Sequence, residues 1–467
     1  MSDPKTYETF TTPRAALIAT LCAVLGLGNM WRFPYIMGTS GGLAFILVYL
    51  FFAFFVGVPL MISGFVMGRR ARTNSINVYR ELLDKKTPWS VVGLLGIIAS
   101  ILFMAFYSCI AGWVYRYTYE TLRGSFLGID KDGAELLFAR VIGEGTYGAS
   151  LFSIEVLMPV FWQFLVIFMI GAVLVLGVRR GIERVSKIVL PIIIVILLIC
   201  AVRALSLPGS FEGVKFIMHF DFSKMSLHTV FTALGLAFFK LSLGMGVMMV
   251  YGSYFPEDVD IPAVPIKIVL IDICVSILAG LVIFPVVFSF GMNPGSGAEL
   301  FFITIPTAFS QMAHGQLLLF IFYFASALAA TIAALSVIEV PTAWLIRAIG
   351  ASRKEAVFLI CAIISLLSII VACSVSPTGT LGMLKVFDMR LYEFIDFLSS
   401  NILLPLTGFL VAIFAGYVFP KSDFCDELSN HGALQNGERA DAVRVVLRYL
   451  TPVLIFIIFL NSVEVIK

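Results

Sequence analysis

An apolar run near the N-terminus is interrupted by Gly26, Leu27, Gly28 and Asn29, and Arg32 follows shortly after. The run is of the length that crosses a membrane. Backbone groups that leave a helix inside a bilayer must find partners in the protein or in a ligand, because an unpaired N–H or C=O in hydrocarbon costs several kcal/mol. Two glycines, an asparagine and an arginine at one interruption therefore predict a polar binding site at membrane depth.

A second interruption, Ser242–Gly246, follows five predicted helices later. Corresponding breaks in two halves of a membrane protein indicate the binding site of a transporter built from inverted repeats. The N-terminal end of a half-helix attracts an anionic group, and the carbonyl groups at the C-terminal end of another attract a cationic group. Two breaks that meet can thus bind both a negative and a positive group without a buried side-chain charge.

Membrane-spanning helices must position these breaks. The 467 residues are 60% hydrophobic and 13% charged, and the mean hydropathy is +1.00. This composition excludes a soluble globular protein and predicts an all-α polytopic membrane protein. Eleven stretches approach or exceed the ~20 apolar residues that a span needs, at residues 14–36, 41–68, 90–122, 157–177, 184–205, 228–254, 263–291, 315–348, 355–373, 388–419 and 444–463.

Basic residues in short loops predict the topology. Residues 69–86 after the second helix and 179–187 after the fourth are rich in Lys and Arg, and both loops should be cytoplasmic. The mixed-charge loop at 123–156 is expected on the opposite side. We therefore predict a multi-pass protein of the plasma (inner) membrane with its N-terminus in the cytoplasm and its C-terminus outside. No cleavable signal peptide is expected, because the first apolar run continues into the break.

Other functional classes have little support in the sequence. The seven cysteines and four histidines show no metal-ligand or disulfide spacing, and no nucleotide-binding loop is present. We therefore expect neither an enzyme nor an ATP-driven pump. The net charge of +3 reflects the loops and does not favour nucleic acid. The expected partners are a small-molecule substrate and membrane lipids, and the oligomeric state is left open.

Four segments resemble the neurotransmitter:sodium symporter family: Gly26–Pro34, Tyr107–Trp113, Phe238–Gly246 and Phe302–Gln311. The resemblance covers nearly the whole chain and implies the LeuT fold, a 5+5 inverted repeat with helices 1 and 6 broken, plus an eleventh helix. The implied organisation is a cytoplasmic N-terminal tail (1–13), the first five-helix repeat (14–205), an extracellular connection (206–227), the second repeat (228–419), a cytoplasmic loop (420–443) and the eleventh helix (444–467).

The resemblance also implies an amino-acid site at the two breaks. The amides of Leu27 and Gly28 and the hydroxyl of Tyr107 would bind the substrate carboxylate, and carbonyls beside the breaks with the Ser242 hydroxyl would bind the ammonium. The remaining side chains are mostly apolar, which favours a hydrophobic amino acid. The full predicted set is Val24, Gly26, Leu27, Gly28, Phe103, Tyr107, Phe239, Lys240, Ser242, Met245, Ala333 and Val337.

The first sodium site of the family is altered in this chain. Lys240 stands where the family has Thr or Ser, and Asp272 stands where it has Asn, while Asn29 is retained. Sodium requires a cage of oxygen ligands. Two unit charges about 4 Å apart interact by roughly 4 kcal/mol at an effective dielectric near 20, so the ammonium would repel the ion. We predict that Lys240 replaces sodium, pairs with Asp272 and reaches the substrate carboxylate; a pair that only joins two helices is the alternative.

The second sodium site is altered as well. Counted back from Glu339, the family's adjacent Thr-Ser of helix eight falls on Ile332 and Ala333, which cannot coordinate sodium through their side chains. A shift of one residue would rescue a single hydroxyl. The ligands would then be Thr331 and the carbonyl groups of Cys22, Leu25 and Ala329.

Two further sites of the family have counterparts. Arg32 and Asp396 match its paired external gate, in keeping with the rule that intramembrane charges are usually paired. Tyr49 and Ser276 match chloride ligands, but a third polar residue of that site is Leu236 here. Chloride binding is therefore not expected.

The leading interpretation is a secondary active amino-acid transporter that works by alternating access. Its transport would be independent of sodium, and either coupled to protons or an exchange. A conventional sodium:amino acid symporter that uses the second site is the alternative. A non-transporting amino-acid sensor with the same fold and a channel are interpretations of other classes. No cofactor is expected.

Overall fold

The computed structural model describes residues 8–84, 86–146, 153–295, 297–434 and 437–462. These ranges are mostly helical and carry one antiparallel strand pair, β1 (Lys385–Val386) and β2 (Met389–Arg390). Residues 1–7 of the predicted tail, Lys85 of the predicted cytoplasmic loop and residues 463–467 of the predicted eleventh segment lie outside the described residues.

The helices confirm an all-α polytopic membrane protein. In chain order they are α1 (Pro13–Val24), α2 (Gly28–Thr39), α3 (Leu43–Ala71), α4 (Val78–Leu83), α5 (Ser90–Leu122), α6 (Lys131–Val141), α7 (Ile154–Val175), α8 (Val178–Leu205), α9 (Ser210–Met218), α10 (Leu227–Lys240), α11 (Val247–Ser253), α12 (Ala263–Ser289), α13 (Leu300–Ser310), α14 (Gly315–Ala348), α15 (Arg353–Cys373), α16 (Leu391–Val418), α17 (Lys421–Leu428) and α18 (Arg439–Asn461).

Nine of these helices within the described ranges are long and apolar enough to cross a membrane: α3, α5, α7, α8, α12, α14, α15, α16 and α18. Helices α1 and α2 together form a further span that is bent by 65°. Helices α10 and α11 occupy the remaining predicted span, and each is short because the second break separates them.

Asn29 satisfies backbone groups at the first break. Its side-chain oxygen accepts a hydrogen bond from the backbone amide of Gly26 at 3.2 Å, and its backbone amide donates to the Gly26 carbonyl at 3.1 Å. Leu25 has already left the helical conformation. Protein atoms therefore satisfy backbone groups at this break, as irregular backbone at membrane depth requires.

Left-handed backbone conformations form the second break. Ser242, Gly244 and Gly246 have φ values of 51°, 84° and 81°, and glycine adopts such values without the steric cost that a Cβ brings. Gly244 also packs directly on the backbone of α16, where an added Cβ would clash with the Leu404 carbonyl. Sequence and packing thus fix the break at the same residues.

Two long helices form the frame around the breaks. Helix α5 packs against α14, and both pack against α7 and α15. Helix α1 lies on α14, and α11 lies on α3. The two breaks therefore face each other across a space that α5 and α14 close from the side.

The polar segment at 420–443 packs against the rest of the chain. Helix α17 buries Phe424 and Leu428, and its buried Glu427 forms an ion pair with Arg69 at the end of α3. Arg69 also donates to the Val259 carbonyl at 2.9 Å. This predicted loop therefore joins the end of α3 to the connection between α11 and α12.

Gly244→Ala should destabilise the second break, because the new Cβ meets the α16 backbone and the residue must keep a positive φ. We expect the free energy of unfolding to fall by about 2 kcal/mol or more, measured by thermal unfolding in detergent. Gly235→Ala is the matched control, since an added Cβ there contacts nothing within 4 Å. Equal stability of the two variants would contradict the assignment.

Candidate functional site

A cavity of ≈ 40 Å³ lies between the two helix breaks, α5 and α14. Three residues outside the predicted substrate set contribute to its wall: Ala23, Ala334 and Asn29. Asn29 was predicted to belong to the former first sodium site. Every residue of that predicted set also lines it: Val24, Gly26, Leu27, Gly28, Phe103, Tyr107, Phe239, Lys240, Ser242, Met245, Ala333 and Val337. The tertiary structure thus brings residues from five helices and both breaks to one place.

One end of the cavity presents hydrogen-bond donors. The Tyr107 hydroxyl is buried there and has no hydrogen-bond partner within the described part of the chain. It lies beside the Leu27 backbone, where α2 begins. The first N–H groups of a helix lack partners within the helix, and its dipole favours negative charge at that end. This end of the cavity therefore suits an anionic group such as a carboxylate.

Hydrogen-bond acceptors also line the cavity, where helix α1 ends and the second break begins. Helix α1 ends at Val24, and the last carbonyls of a helix carry partial negative charge without a partner inside the helix. Ser242 holds the two breaks together, since its hydroxyl donates to the Ala23 carbonyl at 3.0 Å. The Phe239 carbonyl accepts the Ser242 amide at 3.1 Å. A cationic group would meet carbonyl oxygens of both breaks here.

Apolar side chains enclose the rest of the cavity. The Phe103 ring stacks on Tyr107 with centroids 5.3 Å apart and lies 5.6 Å from the Phe239 ring. Met245, Ala333 and Val337 complete this wall. A ligand with one anionic end, one cationic end and an apolar side chain matches the arrangement.

A buried charged cluster lies directly beside the cavity. The Lys240 ammonium is 2.9 Å from one carboxylate oxygen of Asp272 and donates to the Ser276 hydroxyl at 2.8 Å. The same carboxylate oxygen accepts from the Tyr49 hydroxyl at 3.0 Å, and the other accepts from the Asn29 amide at 2.6 Å. The charged side chains are 1% and 0% exposed. A buried pair requires such complete hydrogen bonding, because desolvation offsets much of its attraction.

Aromatic rings surround the ammonium on its remaining side. Lys240 Nζ lies 4.0 Å from the Phe33 ring centroid and 5.2 Å from that of Tyr49, distances at which cation–π attraction operates. The aliphatic part of Lys240 lines the cavity near Gly28. The ammonium itself thus has partners on α3 and α12, and its predicted reach to a substrate carboxylate stays a prediction.

A larger cavity of ≈ 610 Å³ lies on the other side of Phe239 and contains Arg32 and Asp396. The Arg32 guanidinium is exposed and stands 5.3 Å from the Phe239 ring centroid, while Asp396 accepts a hydrogen bond from Ser400 at 2.8 Å. Across the described residues, Arg32 and Asp396 have no direct ion pair with each other. Arg32 and Asp396 therefore line the same cavity, which we call the vestibule, without the ion pair predicted for them.

A hydrogen-bonded network that was not predicted from the sequence surrounds Glu339. Buried Glu339 accepts from Arg353 at 3.0 and 2.7 Å and from the Tyr254 hydroxyl at 2.7 Å. The Phe10 amide then donates to the Tyr254 carbonyl at 2.8 Å. A carboxylate inside an apolar helix is the sequence signal that could have found it. This network joins α14 and α15 to the residues after α11 and to the N-terminal segment.

The comparisons agree with this architecture. The family model described as the sodium:neurotransmitter symporter family matches residues 7–127 and 148–467. The chain belongs to this family. It is 34% identical over 460 residues to an uncharacterized sodium-dependent transporter, YhdH, of Bacillus subtilis (strain 168). The matched region covers 97% of this chain and 96% of that protein. The protein is therefore a transporter and not an enzyme.

Two further similarities support the symporter fold. An uncharacterized sodium-dependent transporter of Haemophilus influenzae is 29% identical, with 98% of each chain covered. The crystal structure of MhsT in complex with L-phenylalanine superposes with a TM-score of 0.85 at 33% identity, covering 97% of this chain and 99% of that chain. The LeuT fold expected from the sequence is therefore confirmed.

Residues predicted to belong to two separate ion sites form one cluster in the structure. Asn29, Lys240 and Asp272, predicted as the former first sodium site, share one hydrogen-bonded cluster with the chloride-like residues Tyr49 and Ser276. From the sequence, these residues were expected to form two separate sites. The structure joins them because α12 presents Asp272 and Ser276 on consecutive turns of one helix face.

Thr331 of the predicted second sodium site lies on helix α14 and is hydrogen-bonded within the protein. Ala333 and Val337 line the cavity, as the unshifted alignment requires. The Thr331 hydroxyl is 2.6 Å from the Tyr115 hydroxyl and donates to the Ala327 carbonyl at 2.8 Å. The second-site set of Thr331 with the carbonyl groups of Cys22, Leu25 and Ala329 stays a prediction.

Lys240→Met should destabilise the protein strongly, because Asp272 is then left as a buried charge without a cation. We expect a loss of about 3–5 kcal/mol in the free energy of unfolding, and adding Asp272→Asn should recover most of it. Thermal unfolding in detergent measures both effects.

The control is Lys421→Met, which removes one partner of an ion pair at 2.7 Å whose side chains are 63% and 55% exposed. Its expected cost is at most about 1 kcal/mol. If the two lysine variants are equally stable, the buried pair contributes no more than an exposed one.

Proposed function

We propose that this transporter of the symporter family carries an amino acid with an apolar side chain and that the Lys240–Asp272 pair takes the place of the first sodium ion. The proposal includes an inner-membrane location with the N-terminus in the cytoplasm. The observation that carries the substrate assignment is the buried, unpartnered Tyr107 hydroxyl at the start of α2. A buried hydroxyl without a partner costs free energy unless a ligand pairs with it.

The amino-acid class has independent support in the composition of the cavity. A carboxylate can bind Tyr107 and the α2 amides, an ammonium can bind the carbonyls at the end of α1, and the side chain then faces Phe103, Phe239 and Val337. The structurally similar MhsT was crystallised in complex with L-phenylalanine. Both observations favour an amino acid over other small molecules.

Sodium independence is supported by the charged cluster. Lys240, Asp272 and the hydroxyls of Tyr49 and Ser276 satisfy one another, so oxygen ligands that a cation would need are already bonded to an ammonium. The second site has lost side-chain hydroxyls at Ile332 and Ala333. Coupling to protons or an exchange of substrates would then drive transport.

A conventional sodium:amino acid symporter is the second candidate. Its support is that the relatives in Bacillus subtilis and Haemophilus influenzae are named sodium-dependent transporters. Sodium would then bind the second site, with the Thr331 hydroxyl and the carbonyl groups of Cys22, Leu25 and Ala329 as ligands.

Uptake of a panel of labelled amino acids into proteoliposomes tests the proposal. We expect saturable uptake that survives replacement of sodium by choline, and its response to an imposed proton gradient separates proton coupling from exchange. Tyr107→Phe should weaken uptake at least about tenfold, because a hydrogen bond to a charged group is lost. Tyr417→Phe, at an exposed tyrosine, is the control. Strict sodium dependence would favour the conventional symporter.

The double variant Lys240→Thr with Asp272→Asn should gain sodium dependence, because it restores oxygen ligands and removes the ammonium that repels the ion. Uptake at increasing sodium concentration, with ionic strength held constant by choline, measures the effect. Lys421→Thr with Asp441→Asn changes an exposed pair in the same way and serves as the control. Unchanged, sodium-insensitive uptake in the first double variant would refute the replacement of sodium by Lys240.

A further inference from the structure

We infer that Phe103 restricts the substrate to the smallest amino acids, glycine and alanine. This inference rests on the proposed function and specifies the substrate class at the same site. It is carried by the free space of the cavity and by the packing that holds the Phe103 ring inside it.

The free space is small. The cavity measures ≈ 40 Å³, on the order of three times the 10–15 Å³ that a single water needs by the same kind of measure. The polar ends of an amino acid must fit into this space together with the side chain. Little volume is left beyond a methyl group.

Phe103 places an apolar ring on the α5 side of the space, and three aromatic neighbours hold this ring in position. Its ring stacks on Tyr107 at an interplanar angle of 20° and centroid distance of 5.3 Å. It also contacts Phe106 edge to face at 5.0 Å and Phe239 at 5.6 Å. Such aromatic pairs each contribute beyond simple burial. Displacement of the ring by a larger substrate would break three contacts at once.

The opposite wall cannot move back easily either. A Cβ at Gly26 would lie 3.1 Å from the Ala333 Cβ and 3.3 Å from the Tyr107 hydroxyl, so the first break and α14 are already in close contact. Met245 is the one flexible side chain of the apolar wall, and Val337 is branched and stiff. The close contact at Gly26 and the stiff Val337 side chain therefore limit how far this wall can move.

Charge does not select among side chains at this site. The ammonium of Lys240 is paired within the adjacent cluster, and the groups around the side-chain space are those of Phe103, Phe239, Met245, Ala333 and Val337. Size is therefore the property by which the cavity distinguishes apolar amino acids, and Phe103 sets it. The L-phenylalanine bound to MhsT carries a ring for which this cavity has no room.

Competition against labelled alanine in proteoliposomes tests the inference, with unlabelled glycine, alanine, valine, leucine and phenylalanine as competitors. In the wild-type protein glycine and alanine should compete, and leucine and phenylalanine should be weaker by at least about tenfold. Phe103→Val should improve leucine relative to alanine by at least about tenfold, because each added methylene in an apolar pocket is worth roughly that factor. Leu102→Ala, which shortens a neighbouring side chain on α5 outside the cavity, should leave the ranking unchanged.

Leucine or phenylalanine competing as well as alanine in the wild-type protein would overturn the inference while leaving the proposed function intact. An unchanged ranking in a folded Phe103→Val variant would also overturn it. If that variant does not fold, the wild-type ranking decides. If neither labelled alanine nor any other labelled amino acid is taken up, the proposed function fails, and the size restriction fails with it.

Discussion

The need to satisfy backbone groups inside a membrane governs the centre of this protein. Two helices stop at membrane depth, and protein atoms must replace the hydrogen bonds that the helices no longer make. Asn29 does so at the first break, where its side chain accepts from the Gly26 amide. Ser242 does so between the breaks, where its hydroxyl donates to the Ala23 carbonyl. The Tyr107 hydroxyl has no hydrogen-bond partner among the described residues, and Tyr107 lines the cavity.

The same asparagine links the break to the charged cluster. The Asn29 amide donates to Asp272 and Ser276, so the position of the first break depends on the carboxylate that pairs with Lys240. Helices α2, α3, α10 and α12 all contribute to this network. A covalently attached cation returns with the protein in every cycle, unlike a bound sodium ion. It can fill the site and stabilise the fold, but it cannot itself supply the free energy of a moving ion.

The two ends of the protein differ in the way their charges are paired. At the vestibule Arg32 lies over the Phe239 ring, and Asp396 accepts a hydrogen bond from Ser400. In the network around Glu339, the buried carboxylate accepts hydrogen bonds from both Arg353 and Tyr254. Phe239 separates the vestibule from the inner cavity and lines both. Alternating access in this fold would require the hydrogen bonds of the Glu339 network to separate while Arg32 and Asp396 approach each other.

The class, the positions of both breaks and the residues around the cavity follow from the sequence alone, because apolar length, glycine placement and the family motifs are local properties of the chain. The sequence predicted that the Lys240 ammonium pairs with Asp272 and reaches the substrate carboxylate, with a pair that only joins two helices as the alternative. It predicted an Arg32–Asp396 pair and treated the sodium-like and chloride-like residues as separate. These points depend on the tertiary structure, and the reason is physical. Hydrogen bonds among Tyr49, Asp272 and Ser276, and the free space beside Phe103, arise from the packing of helices that are far apart in sequence.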